Sequence, residues 1–137
     1  MKRSIFAFVA GLVLWMLVAT VLNRVLRAGL PGYALAEPTM TFTLGMKLAR
    51  LIVGALASLS AGAATGRIAP SRIVLPWVLG AIMLAAFIPL HVQLWAKFPV
   101  WYHLFFLGTL VPLVVLGAAL TRKRGGSSLQ IQARHAG

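Results

Sequence analysis

Apolar residues dominate four long stretches of the chain, with short polar breaks between them. The stretches cover Ser4 to Leu22, Met40 to Ala64, Ile73 to Leu90 and Trp101 to Leu120. Each is close to the roughly 20 residues that a helix needs to cross the hydrocarbon core of a bilayer. The pattern therefore predicts an all-α polytopic membrane protein, with four transmembrane helices in an antiparallel bundle over residues 1–124.

The connections between these stretches predict how the helices are arranged. Thr65 to Arg72 and His91 to Val100 are short, and short connections make consecutive helices antiparallel neighbours. The longest connection, Asn23 to Thr39, contains the turn signal Gly29-Leu30-Pro31-Gly32. Residues 125–137 are rich in Gly, Ser and Gln, so we expect a disordered, basic and polar cytoplasmic tail there.

The composition also indicates a membrane protein. Hydrophobic residues make up 61% of the 137 residues and charged residues 10%, whereas a typical soluble domain has about 25% charged residues. Cysteine is absent, which excludes disulfides and thiolate chemistry. The formal net charge is +12. Because the basic residues flank apolar segments, we expect anionic lipid headgroups as partners and no nucleic acid.

The distribution of basic residues predicts the orientation of the helices. In the four-span topology both termini lie on the same side of the membrane. The basic residues on that side are Lys2, Arg3, Arg67, Arg72, Arg122, Lys123, Arg124 and Arg134. The other side carries Arg24, Arg27, Lys47, Arg50, Lys97 and the only acidic residue, Glu37. Lys and Arg are enriched in cytoplasmic loops. We therefore expect a multi-pass protein of the cell inner membrane with both termini in the cytoplasm.

Two cations, Lys47 and Arg50, fall inside the second apolar stretch. At 1.5 Å per residue they lie about 30 Å and 25 Å from Arg67, so both side chains can extend to the bilayer surface. The alternative is that Arg50, with Lys47 on the same helix face, binds an anionic group such as a lipid phosphate or carboxylate. Glu37 is expected to pair with one of these two cations.

Small residues recur at every fourth position further along the second stretch. They are Gly54, Ser58, Gly62 and Gly66. Such a stripe lets two membrane helices approach closely. Contact with another helix of the same bundle is favoured over a seam between copies of the chain, and replacing Gly62 with Leu should disrupt folding or assembly.

Aromatic and basic residues cluster between the third and fourth stretches. Trp95, Lys97, Trp101 and Tyr102 fit a belt at the membrane surface, where amphipathic rings contact headgroups. The same residues are candidates for binding a lipid or another ligand.

Two histidines flank this cluster. His91 and His103 fall at the ends of neighbouring helices, on the same predicted side as Glu37. A His-His-carboxylate trio could hold zinc, and two facing histidines could bind a haem. No tight motif such as HExxH supports either group. Hydrogen bonding at the membrane surface is favoured, and no cofactor is predicted.

Two runs of residues carry a resemblance to a known group. They are Pro31-Gly32-Tyr33 with Ala36-Glu37-Pro38, and Trp95 with Lys97-Phe98-Pro99 and Trp101-Tyr102-His103. In these runs the chain resembles an uncharacterised family of small four-helix inner-membrane proteins of bacteria. The resemblance covers nearly the whole chain except the tail. It implies the fold and the location, and it transfers no site residues.

Polar residues concentrate in residues 23–50 and 91–103, which we call the cap. The sequence therefore favours a binding or accessory protein within the membrane, whose working surface is the cap on the non-cytoplasmic side. A membrane-protein partner or a homo-oligomer is compatible with this interpretation. The alternative is a small oligomeric transporter or channel subunit. An enzyme ranks last, because no nucleophile–base pair or acid dyad is present.

Overall fold

Four long helices and one short helix make up the protein. The computed structural model describes residues 1–136, apart from the side chains of residues 123–130. The helices are α1 (Lys2–Gly29), α2 (Tyr33–Ala36), α3 (Leu44–Ile68), α4 (Leu75–Gln93) and α5 (Val100–His135). Helix accounts for 81% of the chain, and α1, α3, α4 and α5 are long and apolar enough to cross a membrane. The predicted all-α bundle of four membrane-spanning helices is confirmed.

Consecutive long helices run in opposite directions. Near the start of α1, the Arg3 side chain donates a hydrogen bond to the carbonyl oxygen of Ile68 at the end of α3. Arg122, late in α5, donates to the carbonyl oxygen of Arg72 between α3 and α4 at 3.2 Å. One end of the bundle therefore gathers the chain start, the α3–α4 connection and the end of the α5 span, whereas the cap forms the other end.

Helix boundaries near the cap differ from the predicted ones. Helix α1 continues two turns beyond Leu22, so Arg27 lies on a helix instead of a loop. Helix α3 begins at Leu44 instead of Met40, because the Thr43 side chain caps it by accepting a hydrogen bond from the Met46 backbone N–H at 3.3 Å. Between them, α2 follows Gly32, whose φ of +77° suits a glycine.

The end of α5 also differs from the prediction. A disordered tail was expected from residue 125, but α5 extends to His135. Residues 131–136 are exposed. The residues that follow Arg122 include Ala, Gln, Leu and Arg, which have adequate helix propensity, so helix can continue past the apolar span. The side chains of Lys123 and Arg124, counted above for orientation, lie outside the described residues, as does Gly137.

The helices follow the order α1, α3, α5, α4 around the bundle. Helix α3 packs along α1 and α5, and α4 packs along α5 and touches α1 and α3 only slightly. The prediction that α3 and α4 are neighbours because of their short connection is therefore wrong. The small-residue stripe of α3 packs against α5 instead. The short connection between α3 and α4 crosses the bundle diagonally.

Helices α3 and α5 run parallel and approach most closely along that stripe. A Cβ atom added to Gly62 would overlap the Val114 carbonyl oxygen, and one added to Gly66 would overlap backbone atoms of Ala118. Reciprocally, a Cβ at Gly117 of α5 would overlap the Leu59 carbonyl oxygen. We call this contact the seam. Its close backbone packing is the kind of contact that holds helices together in lipid.

Candidate functional site

A cavity of about 370 Å³ lies within the cap end of the bundle. All four long helices contribute to it, together with Glu37, Met40 and Phe98 from the connections. Its walls combine apolar side chains with a group of polar ones. The polar residues that line it are Thr20, Asn23, Arg24, Glu37, Arg50, His91, Tyr102 and His103.

Arg50 is the basic side chain that α3 supplies to the cavity. Its Nη1 atom donates a hydrogen bond to the Tyr33 hydroxyl at 2.8 Å. The guanidinium carbon also lies 4.7 Å from the centre of the Phe42 ring, a cation–π distance. Its Nε atom is buried and has no hydrogen-bond partner in the described part of the chain. Arg50 is thus held in place on one side and keeps an unused donor.

A chain of hydrogen bonds links Arg50 to the only acid. The fully buried Tyr33 hydroxyl donates to the Asn23 side-chain oxygen at 2.9 Å. The Asn23 side-chain nitrogen then donates to Glu37 Oε1 at 3.1 Å. Arg27 Nε lies 3.0 Å from Glu37 Oε2 and completes the chain. We call Arg50, Tyr33, Asn23, Glu37 and Arg27 the polar relay. It ties α1, α2 and α3 together across the cap.

The partner of Glu37 differs from the predicted one. The sequence suggested Lys47 or Arg50, but Glu37 pairs with Arg27, which the extended α1 brings within reach. Lys47 is partly buried and does not line the cavity. Of the two predicted cations in α3, only Arg50 contributes to this site.

His91 and His103 form a buried pair between α4 and α5. Their Nδ1 atoms are 2.7 Å apart, which is a hydrogen-bond distance, and the two side chains are 6% and 0% exposed. Trp95 stacks on the His103 ring, with ring centres 4.8 Å apart. The His103 Nε2 atom is buried without a hydrogen-bond partner among the described residues.

The structure does not bring together the His-His-carboxylate trio that was considered as a less favoured metal site. No group of three metal-ligating side chains occurs in residues 1–136, outside the undescribed side chains. Glu37 is engaged by Asn23 and Arg27 instead. Zinc–nitrogen bonds of about 2.0–2.1 Å in a tetrahedral site would also hold two ligating nitrogens about 3.3 Å apart. The facing Nδ1 atoms of His91 and His103 are closer than that.

The predicted aromatic belt separates into two kinds of side chain. Trp95 and Trp101 are 50% and 42% exposed, and Lys97 is exposed beside them. They lie at the surface of the cap, which suits contact with headgroups. Tyr102, in contrast, is buried, stacks on Phe98 with ring centres 4.5 Å apart, and lines the cavity.

The cavity opens between α1 and α4. Three of its lining residues are exposed, namely Thr20 and Arg24 on α1 and Leu90 on α4. These two helices touch only slightly. The apolar part of the lining includes Trp15 of α1 and Phe87 of α4, whose ring centres are 5.0 Å apart. The opening therefore faces the surroundings of the bundle sideways, where membrane-spanning helices meet lipid.

Several residues of the cavity and of the polar relay were not predicted. Asn23 and Arg27 were assigned to a loop, although their spacing of four would place them on one helix face if α1 continued. Tyr33 follows a glycine turn that gave no indication of burial. Trp15 and Phe106 were counted only as apolar residues of their spans, because hydropathy does not distinguish a cavity wall from a lipid-facing side chain.

Comparisons of the chain with known protein families, with curated proteins and with solved structures found no match. The resemblance to small four-helix bacterial inner-membrane proteins stays a prediction. The site must accordingly be interpreted from its own geometry.

Proposed function

We propose that the protein is a membrane-embedded binding protein that takes an amphiphilic molecule from the bilayer into the cavity of the cap. The observation that carries this proposal is a cavity with an apolar wall, a polar end and an opening between α1 and α4. A volume of about 370 Å³ lies within the range of about 300–1,000 Å³ found for small-molecule sites.

The form of the cavity supports an amphiphile as the ligand. Trp15, Val53, Phe87 and Phe106 offer apolar contact to a hydrocarbon or ring. Arg50 and His103 lie at the polar end of the cavity, where their side chains can hydrogen-bond the polar head of a ligand. A lateral opening lets a molecule dissolved in lipid enter without passing through water.

Filling the cavity tests this proposal. Ala19 lines the cavity, whereas Ala85 is exposed on α4 and does not line it, so Ala19→Trp and Ala85→Trp add the same bulk in two different places. Amphiphiles that co-purify in mild detergent would be quantified by mass spectrometry of an organic extract. We expect their amount to fall in Ala19→Trp alone. Equal amounts in both variants and the native chain would overturn the proposal.

The cap residues should matter for function more than for insertion. We expect Arg50→Ala, Glu37→Ala and His103→Ala to lower the amount of bound amphiphile while the protein still accumulates in the membrane. If all three variants retain the ligand like the native chain, the cap serves only as an anchor.

The proposal includes a location in the cell inner membrane with both termini in the cytoplasm, so that the cap lies on the non-cytoplasmic side. The excess of basic residues at the end opposite the cap supports this orientation. A reporter active only outside the cytoplasm would be fused after Arg124. We expect it to be inactive, and activity would reverse the orientation.

A transporter or channel subunit is the second candidate function. The cavity is the observation in its favour, since a transporter also needs a binding site within the membrane. The seam between α3 and α5 argues against a path between those two helices. If liposomes containing the native protein showed a larger solute flux than liposomes containing Ala19→Trp, the transporter would be favoured.

A further inference from the structure

We infer that the amphiphile carries an anionic oxygen head, either a carboxylate or a phosphate, and that Arg50 binds this head inside the cavity. The inference rests on the binding function proposed above and specifies its ligand. A fatty acid and a single-chain lipid phosphate both present this chemistry.

The balance of charge around the cavity is the first reason. Glu37 is the only acidic side chain of the chain, and its carboxylate is taken up by Arg27 at 3.0 Å. Arg50 therefore has no side-chain carboxylate to neutralise it, although it lies in a largely apolar cavity. Arg24 adds a second positive charge at the opening. A cation held away from water without a counter-charge is costly, so an anionic ligand would bind there with net gain.

The orientation of the Arg50 guanidinium is the second reason. Its Nη1 atom is occupied by Tyr33, and the Phe42 ring covers one face. Arg50 lines the cavity, and its planar guanidinium is the group with which arginine grips carboxylates and phosphates. Tyr33 itself is already engaged with Arg50 and Asn23. Arg50 is thus pre-positioned to receive an oxyanion.

The size and lining of the cavity limit the rest of the ligand. Phe87, Phe106 and Trp15 surround the space next to the polar end. A cavity of about 370 Å³ cannot enclose both acyl chains of a phospholipid. The cavity therefore suits the head and the first part of one chain, whose remaining length can extend into lipid through the opening between α1 and α4.

The test compares probes that share one chain and differ in the head. The full-length protein is placed in nanodiscs of phosphatidylcholine, and binding of radiolabelled dodecanoate, dodecanol, dodecyl phosphate and inorganic phosphate is measured. The variants are Arg50→Gln, Arg50→Lys and the cavity-filling Ala19→Trp. Arg67→Gln is the matched control, because it removes the same charge from an exposed position of α3 outside the cavity.

We expect the native protein and Arg67→Gln to bind one of the two anionic chains at least about tenfold more tightly than dodecanol. Arg50→Gln should remove this preference by weakening the anionic chains much more than dodecanol, and Arg50→Lys should restore part of it. The better of dodecanoate and dodecyl phosphate identifies the head. Ala19→Trp should weaken binding of every chain.

Each of the other possible outcomes overturns a defined part of the inference. Equal binding of dodecanol and both anionic chains, blocked by Ala19→Trp, would leave the binding function standing and refute the anionic head. A preference that persists in Arg50→Gln would exclude Arg50. Inorganic phosphate binding as tightly as dodecyl phosphate would refute the single-chain ligand. If no chain binds above the level of Ala19→Trp, the proposed function fails for these amphiphiles together with the inference.

Discussion

Helix α3 meets α5 differently in its two halves, although one stripe of positions runs through both. At Gly62 and Gly66 the α5 backbone lies against the glycine itself. At Gly54 an added Cβ atom would come within 2.7 Å of the Phe106 ring, which is a side-chain contact. One turn further towards the cap the stripe reaches Arg50, which lines the cavity. The helices thus change from backbone contact to separation by side chains along a single face.

The contrast shows how residue size sets helix spacing in a membrane bundle. Lipid is as apolar as the helix surfaces, so close packing supplies much of the association energy. The seam provides that packing through direct contact between the two backbones. In the cap, the Phe106 ring separates α3 from α5, and the polar relay ties α3 to α1 and α2 instead. The close backbone packing and the cavity of the cap therefore lie in different halves of α3.

The largest expected effect is at the seam. Gly62→Ala adds a methyl group where the Val114 carbonyl oxygen already lies, and it should destabilise the fold by about 3 kcal/mol. Gly108→Ala adds the same group on α5 where no atom lies within 4 Å. It should not destabilise the fold, and the higher helix propensity of alanine should stabilise it by up to about 1 kcal/mol. Thermal unfolding in mild detergent would compare the two, and equal behaviour would remove the distinction between seam and surface.

The next effect is in the cap. Tyr33→Phe removes the hydroxyl that accepts from Arg50 and donates to Asn23, and it should cost about 1.5 kcal/mol. A double-mutant cycle with Asn23→Ala would measure the coupling. We expect the two losses to overlap because both break the polar relay. Strictly additive losses would mean that the relay does not act as a unit.

A smaller effect is expected between α1 and α3. Ser58→Ala removes the acceptor of the Trp15 Nε1–H at 3.2 Å, and it should cost about 1 kcal/mol, as interhelical hydrogen bonds in membranes do. Ser60→Ala is the control, since the Ser60 hydroxyl bonds only the Leu56 carbonyl oxygen of its own helix. Unfolding of the two variants in the same detergent gives the difference, and a costlier Ser60→Ala would contradict this assignment.

The smallest effect is at the edge of the cap. Arg27→Ala breaks the ion pair between Arg27 and Glu37, whose side chains are 49% and 25% exposed. Because ion pairs at the surface contribute little, the free energy of unfolding should change by less than about 1 kcal/mol. The substitution also frees the Glu37 carboxylate near Arg50, so binding of an anionic chain should weaken more than stability does. Parallel measurements of unfolding and dodecanoate binding would show this split. Loss of stability without loss of binding would contradict it.

Much of the fold could be predicted from the sequence, because apolar length alone defines a membrane span. The four long helices follow from it, and the stripe from Gly54 to Gly66 indicated a packing face. The partner of that face could not be predicted, since many apolar helices would fit it. The prediction that α4 is the neighbour of α3 was wrong for this reason. It relied on the short connection between α3 and α4, whereas α3 packs against α5.

The site could be predicted only in part. Arg50, Glu37 and the two histidines stood out because polar residues are rare among apolar ones. Their hydrogen-bond and ion-pair partners could not be predicted. The partner of Glu37, for example, depends on where α1 ends. Helix α1 continues beyond its apolar run, so Arg27 reaches the carboxylate instead of Lys47. The cavity itself arises from the spacing of α1 and α4, which hydropathy does not encode.

The contact between His91 and His103 makes two identical side chains chemically different. A neutral imidazole carries one proton on one of its two nitrogens. The facing Nδ1 atoms at 2.7 Å need one proton between them, so one ring carries hydrogen on Nδ1 and the other on Nε2. When His91 is the donor, the buried Nε2 of His103 bears a hydrogen, and when His103 is the donor, that atom is an acceptor. The tautomer of His91, on α4, thereby decides whether its neighbour on α5 presents a donor or an acceptor at Nε2.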